Sequence, residues 1–292
     1  MKIRVAVLFL LGVFLAAVLP SAGTDRVGDY EVHEWGVLAG CDDGEAYLLT
    51  SRPFLTSHPP GMVVVKEPVL YFHSRDGGPF SLKVSFRAGT PTETYPVGEK
   101  NGRTVQWKKV SFVKAAGTTK GLFDFWDSTI PVSLEKIIPT LNDVDADEIV
   151  YNGTKSRFIF YEGEVPFTNK VAFQPAAGGR EVVVANNGEY PVFDLYVFLS
   201  PDRAAYLPRL DAGAKVKVAP GKAEPDFAAP LKKLGFTDKE AAAFAGLWED
   251  SFLWFGRLVY RLAEEECDGL VELEFDPRPK KLVRALYVLV KG

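Results

Sequence analysis

The feature that most constrains this chain is the alternation of apolar and polar residues, in short runs, between Val63 and Val113. Leu82, Val84 and Phe86 fall on one face of such a run, and Ser81, Lys83, Ser85 and Arg87 on the other. A period of two sends neighbouring side chains to opposite faces of an extended strand, so this run reads as a strand buried on one side. Residues 69–73 and 105–113 repeat the pattern. Gly77-Gly78-Pro79 and Asn101-Gly102 punctuate it as turns, which predicts a meander of antiparallel strands.

Residues 117–142 are less regular, with Phe123, Phe125 and Trp126 beside Asp124 and Asp127, and read as a packed connection. Beyond them, residues 158–161, 171–173, 181–185, 192–199 and 215–218 are strand candidates, and Asn186-Asn187-Gly188 is read as the hairpin joining the third and fourth of these. Short β-branched and aromatic strands at this spacing predict a mainly β region over 24–222, an antiparallel immunoglobulin-like sandwich divisible into sub-domains at about 24–125 and 150–222. Pro, Gly, Ala and Lys dominate residues 219–230, which read as a linker. After it, Thr237 followed three residues on by Glu240 makes a capping box, and Phe244, Leu247, Trp248 and Phe255 fall at helical spacing. Gly256 is expected to end that helix. Strand patterns at 258–262, 271–275 and 282–290 complete a small α+β unit over 223–292.

The first residues set the compartment. Lys2 and Arg4 precede an unbroken apolar run over 5–19, and Pro20, Ser21, Ala22 and Gly23 follow it, which are the three parts of a secretory signal peptide over 1–23. The run is shorter than the roughly 20 apolar residues of a spanning helix. A cleaved, periplasmic or secreted chain without a stable membrane span is therefore expected. Its roughly 270 residues make one large or two modest domains. Hydrophobic residues at 47% and aromatics at 13% argue for packed structure, and a net charge of −4 gives no field to attract nucleic acid. Scarce Asn, Gln, Met and Cys match a heat-adapted, thermostable protein. Cys41 and Cys267 stand near opposite ends of the mature chain and either form a disulfide, which an oxidising compartment permits, or remain two buried thiols.

Four stretches carry a resemblance. They are His33-Glu34-Trp35-Gly36, then Glu67-Pro68-Val69-Leu70-Tyr71-Phe72, then Phe158-Ile159-Phe160-Tyr161-Glu162-Gly163, and a tail with Trp248-Glu249-Asp250-Ser251, Leu258-Val259-Tyr260 and Phe275-Asp276-Pro277-Arg278-Pro279. Together they resemble an uncharacterised family of exported bacterial β-rich proteins with a His-Glu-Trp-Gly motif near the mature N-terminus. The resemblance implies export and brings no activity, cofactor or site.

Chemistry-bearing residues are few. His33, His58 and His73 all lie early in the mature chain beside Glu34 and Glu67, and histidine with carboxylate is what zinc or a similar metal requires. The candidate metal set is His33, Glu34, Glu67 and His73. Against it, no second histidine follows His33 by four residues, and on a strand His33 and Trp35 share one face while Glu34 takes the other, so joining them needs a bulge or a strand end. Asp143, Asp145, Asp147 and Glu148 alternate like a calcium loop but lack its glycine, and the twelfth position is Thr154, so a solvated acidic turn is expected. Ser133 and Lys136 have the spacing of a serine nucleophile and its base without the companion motifs. Trp35, Trp107, Trp126, Trp248 and Trp254 serve either stacking or core packing. Glu264 to Glu266 read as a solvated turn, and Asn152-Gly153-Thr154 has the form of a glycosylation sequon. The expected function is a non-enzymatic extracytoplasmic module that binds a protein or glycan partner, or joins a surface assembly, without a cofactor. The alternative is a metal-assisted hydrolase built on His33, Glu34, Glu67 and His73.

Overall fold

The structure is a computed structural model that describes residues 26–39, 62–74, 77–113, 134–178 and 180–291. The signal segment, Cys41, His58, Trp126 and Ser133 lie outside the described residues. In chain order the first half contains β1 (Tyr30–Ala39), β2 (Met62–Ser74), β3 (Phe80–Phe86), β4 (Thr90–Tyr95), β5 (Glu99–Asn101), β6 (Thr104–Phe112), α1 (Ile138–Asn142), β7 (Ile149–Tyr151), β8 (Thr154–Ser156) and β9 (Phe158–Pro166). The second half contains β10 (Val171–Pro175), β11 (Val182–Asn186), β12 (Val192–Ser200), β13 (Arg203–Leu210), β14 (Lys215–Val218), β15 (Gly221–Lys222), α2 (Ala228–Leu234), α3 (Asp238–Phe255), β16 (Gly256–Arg261), α4 (Glu264–Leu270), β17 (Val271–Asp276) and β18 (Lys281–Lys291).

A nine-stranded sheet, in the order β15-β13-β12-β16-β18-β1-β2-β9-β4, forms the middle layer. On one face it packs against a six-stranded sheet, with the path β17-β3-β6-β7-β8 and β5 added beside β6, and a three-stranded sheet β10-β11-β14. On the other it packs against α1, α2 and α3. Two apolar cores follow, one per face of the central sheet. The sequence of β1 shows the cause: Val32 and Leu38 enter the sheet-facing core while Trp35 and Val37 enter the helix-facing core. A strand buried on both faces loses the clean alternation of a half-buried one. β3 has a single apolar face, and its alternating buried and half-buried residues match the expected pattern.

The protein is mainly β, and among the described residues its named strands pair antiparallel except β1 beside β18, which the parallel bridge Val27–Arg278 precedes. The immunoglobulin-like arrangement is not what the strand order describes. That fold stacks two antiparallel sheets, whereas here nine strands share one sheet that carries helices on one side. The expected 223–292 unit is likewise interleaved, since β16 and β18 lie between β12 and β1 at the centre of the sheet. Local signals alone cannot reveal such a long-range pairing. Asn186-Asn187-Gly188 does not close a hairpin either, because β11 and β12 belong to different sheets. The Asn186 side chain instead accepts from Gly188 N and donates to Tyr190 O and Leu210 O, turning the chain from one sheet to the other.

The capping box is present. Thr237 Oγ1 accepts from Glu240 N, Glu240 Oε2 accepts from Thr237 N, and α3 ends where Gly256 begins β16. Among the described residues no helix is long and apolar enough to cross a membrane. Cys267 is buried and has no disulfide partner among the described residues, and burial, its largest influence, pushes the thiol pKa up to about 12.

Candidate functional site

His33 and His73 stand on neighbouring antiparallel strands, and both point to the helix-bearing face of the sheet. Their rings lie 4.6 Å apart. The first turn of α3 sets Glu240 between them. Its place follows from the helix repeat, since Glu240, Phe244, Trp248 and Phe252 are spaced by four and form the buried stripe of α3. His33 Nδ1 is 2.9 Å from Glu240 Oε2, and His73 Nε2 is 2.8 Å from Glu240 Oε1. With the Thr237 amide, the carboxylate has three N–H donors around it.

Burial, the largest influence on Glu240, favours its neutral form, yet the hydrogen bonds from His33 and His73 outweigh it and hold the carboxyl down at about 2. For His73, burial pulls the pKa down, but the Glu240 hydrogen bond and charge, with Asp147 and Glu31 beyond, raise it overall. His73 also opens onto a cavity of about 310 Å³ lined by Asp29, Tyr30, Glu31, Ser74, Asp147 and Lys280. His33 is sealed, and its Nε2 has no hydrogen-bond partner among the described residues.

The four residues of the candidate metal set do not converge. Glu34 points to the opposite face of β1, where Arg284 Nε and the Tyr161 hydroxyl donate to its two carboxylate oxygens. The parallel register fixes this, since Glu34 and Arg284 are direct partners. The same guanidinium donates from Nη1 to Asp268 Oδ1 at 2.6 Å and to Val271 O at 2.9 Å. Glu67 forms a bulge in β2, where the register to β1 shifts between Trp35 and Val37, and it takes a left-handed backbone with φ 51°. It is buried, its Oε2 has no hydrogen-bond partner among the described residues, and burial foremost, then the neighbouring Glu162 charge, lifts its pKa to about 8.

The His-Glu-Trp-Gly motif therefore reads residue by residue as architecture. His33 holds α3, Glu34 holds β18, and Trp35 packs edge-on against Phe244 at 5.4 Å. A side chain at Gly36 would meet the Pro68 backbone at 3.0 Å. Glu240, the residue missing from the sequence-based set, carries two signals in the sequence. It closes the capping box as the third residue of α3 and lies four before Phe244 on the buried face. Of the other candidates, Trp35, Trp107 and Trp248 are core and Trp254 is exposed, while Asp143 and Asp145 lie within 3.5 Å of Lys239 Nζ.

A second concave site lies at the far end of α2. Tyr196, Ala204, Ala205, Tyr206, Glu224, Pro225, Asp226 and Lys233 are among the residues lining a cleft of about 270 Å³. The Tyr196 hydroxyl donates to Asp226 O at 2.7 Å and the Tyr206 hydroxyl to Asp194 Oδ1 at 3.0 Å. Both rings are thereby fixed, 4.9 Å apart, and the Tyr206 residue is 41% exposed. Asp194 is itself held by Arg261 Nε at 2.7 Å and sits at a second irregularity of the central sheet with φ 46°.

No family model matches this chain, and no curated protein is significantly similar to it.

Proposed function

We propose that this chain is a non-enzymatic extracytoplasmic binding module that takes a glycan in the cleft formed by Tyr196 and Tyr206. The supporting observation is the pair of tyrosine rings, held through their own hydroxyls, beside the acidic side chains Glu224 and Asp226. A sugar offers an apolar face of C–H groups rimmed by hydroxyls. A fixed ring stacks on the first at little entropic cost, and carboxylates accept from the second. The volume falls near the low end of ligand pockets, which run from roughly 300 to 1,000 Å³, and suits one sugar unit of a longer chain more than a folded partner. Export through the 1–23 segment belongs to the same reading.

The test is a saccharide panel followed by titration of the exported protein. A retained glycan whose affinity falls at least about tenfold in Tyr206→Ala, a loss of roughly 1.4 kcal/mol, at unchanged thermal stability, supports the reading. No retained saccharide, or one indifferent to Tyr206→Ala, overturns it. Mass spectrometry of the exported chain tests the compartment, with a mature start at Gly23 or Thr24 expected.

A further inference from the structure

We propose that His33, His73 and Glu240 form a binding site for a divalent transition-metal ion, with zinc the best match. Two imidazoles and one carboxylate are a donor set that zinc accepts, with a fourth position left for water. Here one ligand atom from each residue lies within 4.8 Å of the other two. The donors come from three different elements, β1, β2 and α3, each fixed by the packing of the helix on the sheet.

The distances decide how little must move. Zinc bonds of about 2.0–2.1 Å in a tetrahedron separate neighbouring ligand atoms by roughly 3.4 Å. The two nitrogens stand 2.9 and 2.8 Å from different oxygens of Glu240, and one ligand atom from each residue lies within 4.8 Å of the others, so closing on one ion changes ligand separations by on the order of 1 Å. At present protons fill that role, shared between His33 or His73 and Glu240. An ion would replace them, leaving the imidazoles neutral and releasing protons to solvent.

The surroundings favour a cation and offer a route to it. Glu31 and Asp147 lie close enough to His73 to favour its positive form, and both line the cavity onto which His73 opens, where the one lysine in the lining, Lys280, is paired with Asp29. One feature limits the affinity. A metal-bound imidazole ordinarily donates its other ring N–H to an acceptor, and loss of such a partner weakens binding by about 10–100-fold. His33 Nε2 has none among the described residues. A site of micromolar rather than nanomolar strength is therefore expected. Calcium and magnesium, which prefer all-oxygen shells, are expected to bind far more weakly.

The experiment is titration of the full exported chain, stripped with chelator, using zinc alone and then cobalt(II) alone. Equilibrium dialysis against zinc at concentrations well above micromolar, read by elemental analysis, is expected to give about one zinc per chain. Cobalt is expected to give the visible absorption of a four-coordinate nitrogen and oxygen site, which zinc abolishes. His73→Ala should weaken zinc by at least about 100-fold, and lowering the pH below the raised His73 pKa should weaken it progressively. His73→Asn, which keeps a donor toward Glu240, secures a folded variant if the alanine form fails to fold. Substoichiometric zinc in the wild type overturns the proposal. So does stoichiometric zinc that survives His73→Asn and His33→Ala, since the ion is then held elsewhere.

Discussion

His33 and Glu34 are neighbours in sequence and opposites in surroundings. His33 faces α3 and shares Glu240 with His73, whose edge reaches a cavity. Glu34 faces the second core, where Arg284 and Tyr161 close over it with no exposure of the carboxylate. Both are buried ionic clusters on one strand. One opens onto a cavity, while the other has its carboxylate fully covered among the described residues. Charge buried without access can only set structure, because nothing in solution exchanges with it. Charge buried beside a cavity responds to pH and to ligands.

The largest effect is expected where access is least. Glu34→Ala removes the acceptor of Arg284 Nε and leaves the buried guanidinium only Asp268 and Val271 O, both on Nη1, with Nη2 already lacking a partner among the described residues. Removing one member of a buried pair costs about 3–5 kcal/mol, so urea unfolding should show a loss of that size, and Glu34→Leu with Arg284→Met should recover most of it. If Glu34→Ala costs no more than His73→Ala, the contrast between the two faces fails.

Glu67 extends the comparison, being as sealed as Glu34 but lacking a full set of partners. Its folded pKa of about 8 lies above the ordinary carboxylate value of 4.5. The folded state therefore favours the protonated acid, and its advantage, full below 4.5, is lost as pH rises toward 8. Glu67→Gln should leave stability unchanged at pH 4 and raise it by about 1–3 kcal/mol at pH 9, the range for an uncompensated buried polar group. A variant no more stable than wild type at pH 9 would remove the claim that the carboxylate is ionised there at a penalty.

The open cluster predicts a smaller, pH-shaped effect. His73 has a raised folded pKa, so its contribution is fully present below the ordinary imidazole value of 6.5 and is lost as pH rises through the higher folded value. Glu240 has a depressed one, so its contribution is present above 4.5 and is lost as pH falls toward 2. The two overlap between 4.5 and 6.5. Because His73 is partly solvated, its share is discounted to about 1 kcal/mol. Thermal melts of His73→Ala should fall furthest below wild type in that window and approach it at pH 9. A constant difference at every pH would mean that only packing was lost.

How far the sequence revealed these clusters depended on whether the signal was local. The alternation of Leu82, Val84 and Phe86, the Asn101-Gly102 turn and the Thr237–Glu240 capping box are events within a few residues, and each appears where the pattern put it. The central sheet is a different case. β1 pairs with β18 across 250 residues between Glu34 and Arg284, and no local propensity records such a pairing. The alternation rule did separate His33 from Glu34, which is why their joint use demanded a bulge. A bulge exists in the adjacent strand, at Glu67, and it leaves Glu34 on the far face. Glu240 was legible as a cap and as a member of the buried stripe, but its histidine partners come from strands over 160 residues away.

The smallest expected effect concerns the device that aims Glu240. Thr237→Ala removes the hydroxyl that accepts from Glu240 N at 3.2 Å, and losing such a cap costs about 1 kcal/mol. On a free-standing helix that would be the whole consequence. Here the backbone amide of Thr237 still donates to Glu240 Oε2 at 2.8 Å, and the same oxygen faces His33 Nδ1. Fraying of the first turn would therefore loosen the carboxylate between the two histidines, so the cap and the cluster should be coupled. A double-mutant cycle of Thr237→Ala with His73→Ala reads this directly, with an interaction of at least about 0.5 kcal/mol expected at pH 5.5. At pH 9, where the His73 contribution has faded, the two losses should add. Simple additivity at both pH values would show that the capping box holds α3 without positioning Glu240, and the open cluster would then owe its geometry to the packing of Phe244 and Trp248 alone.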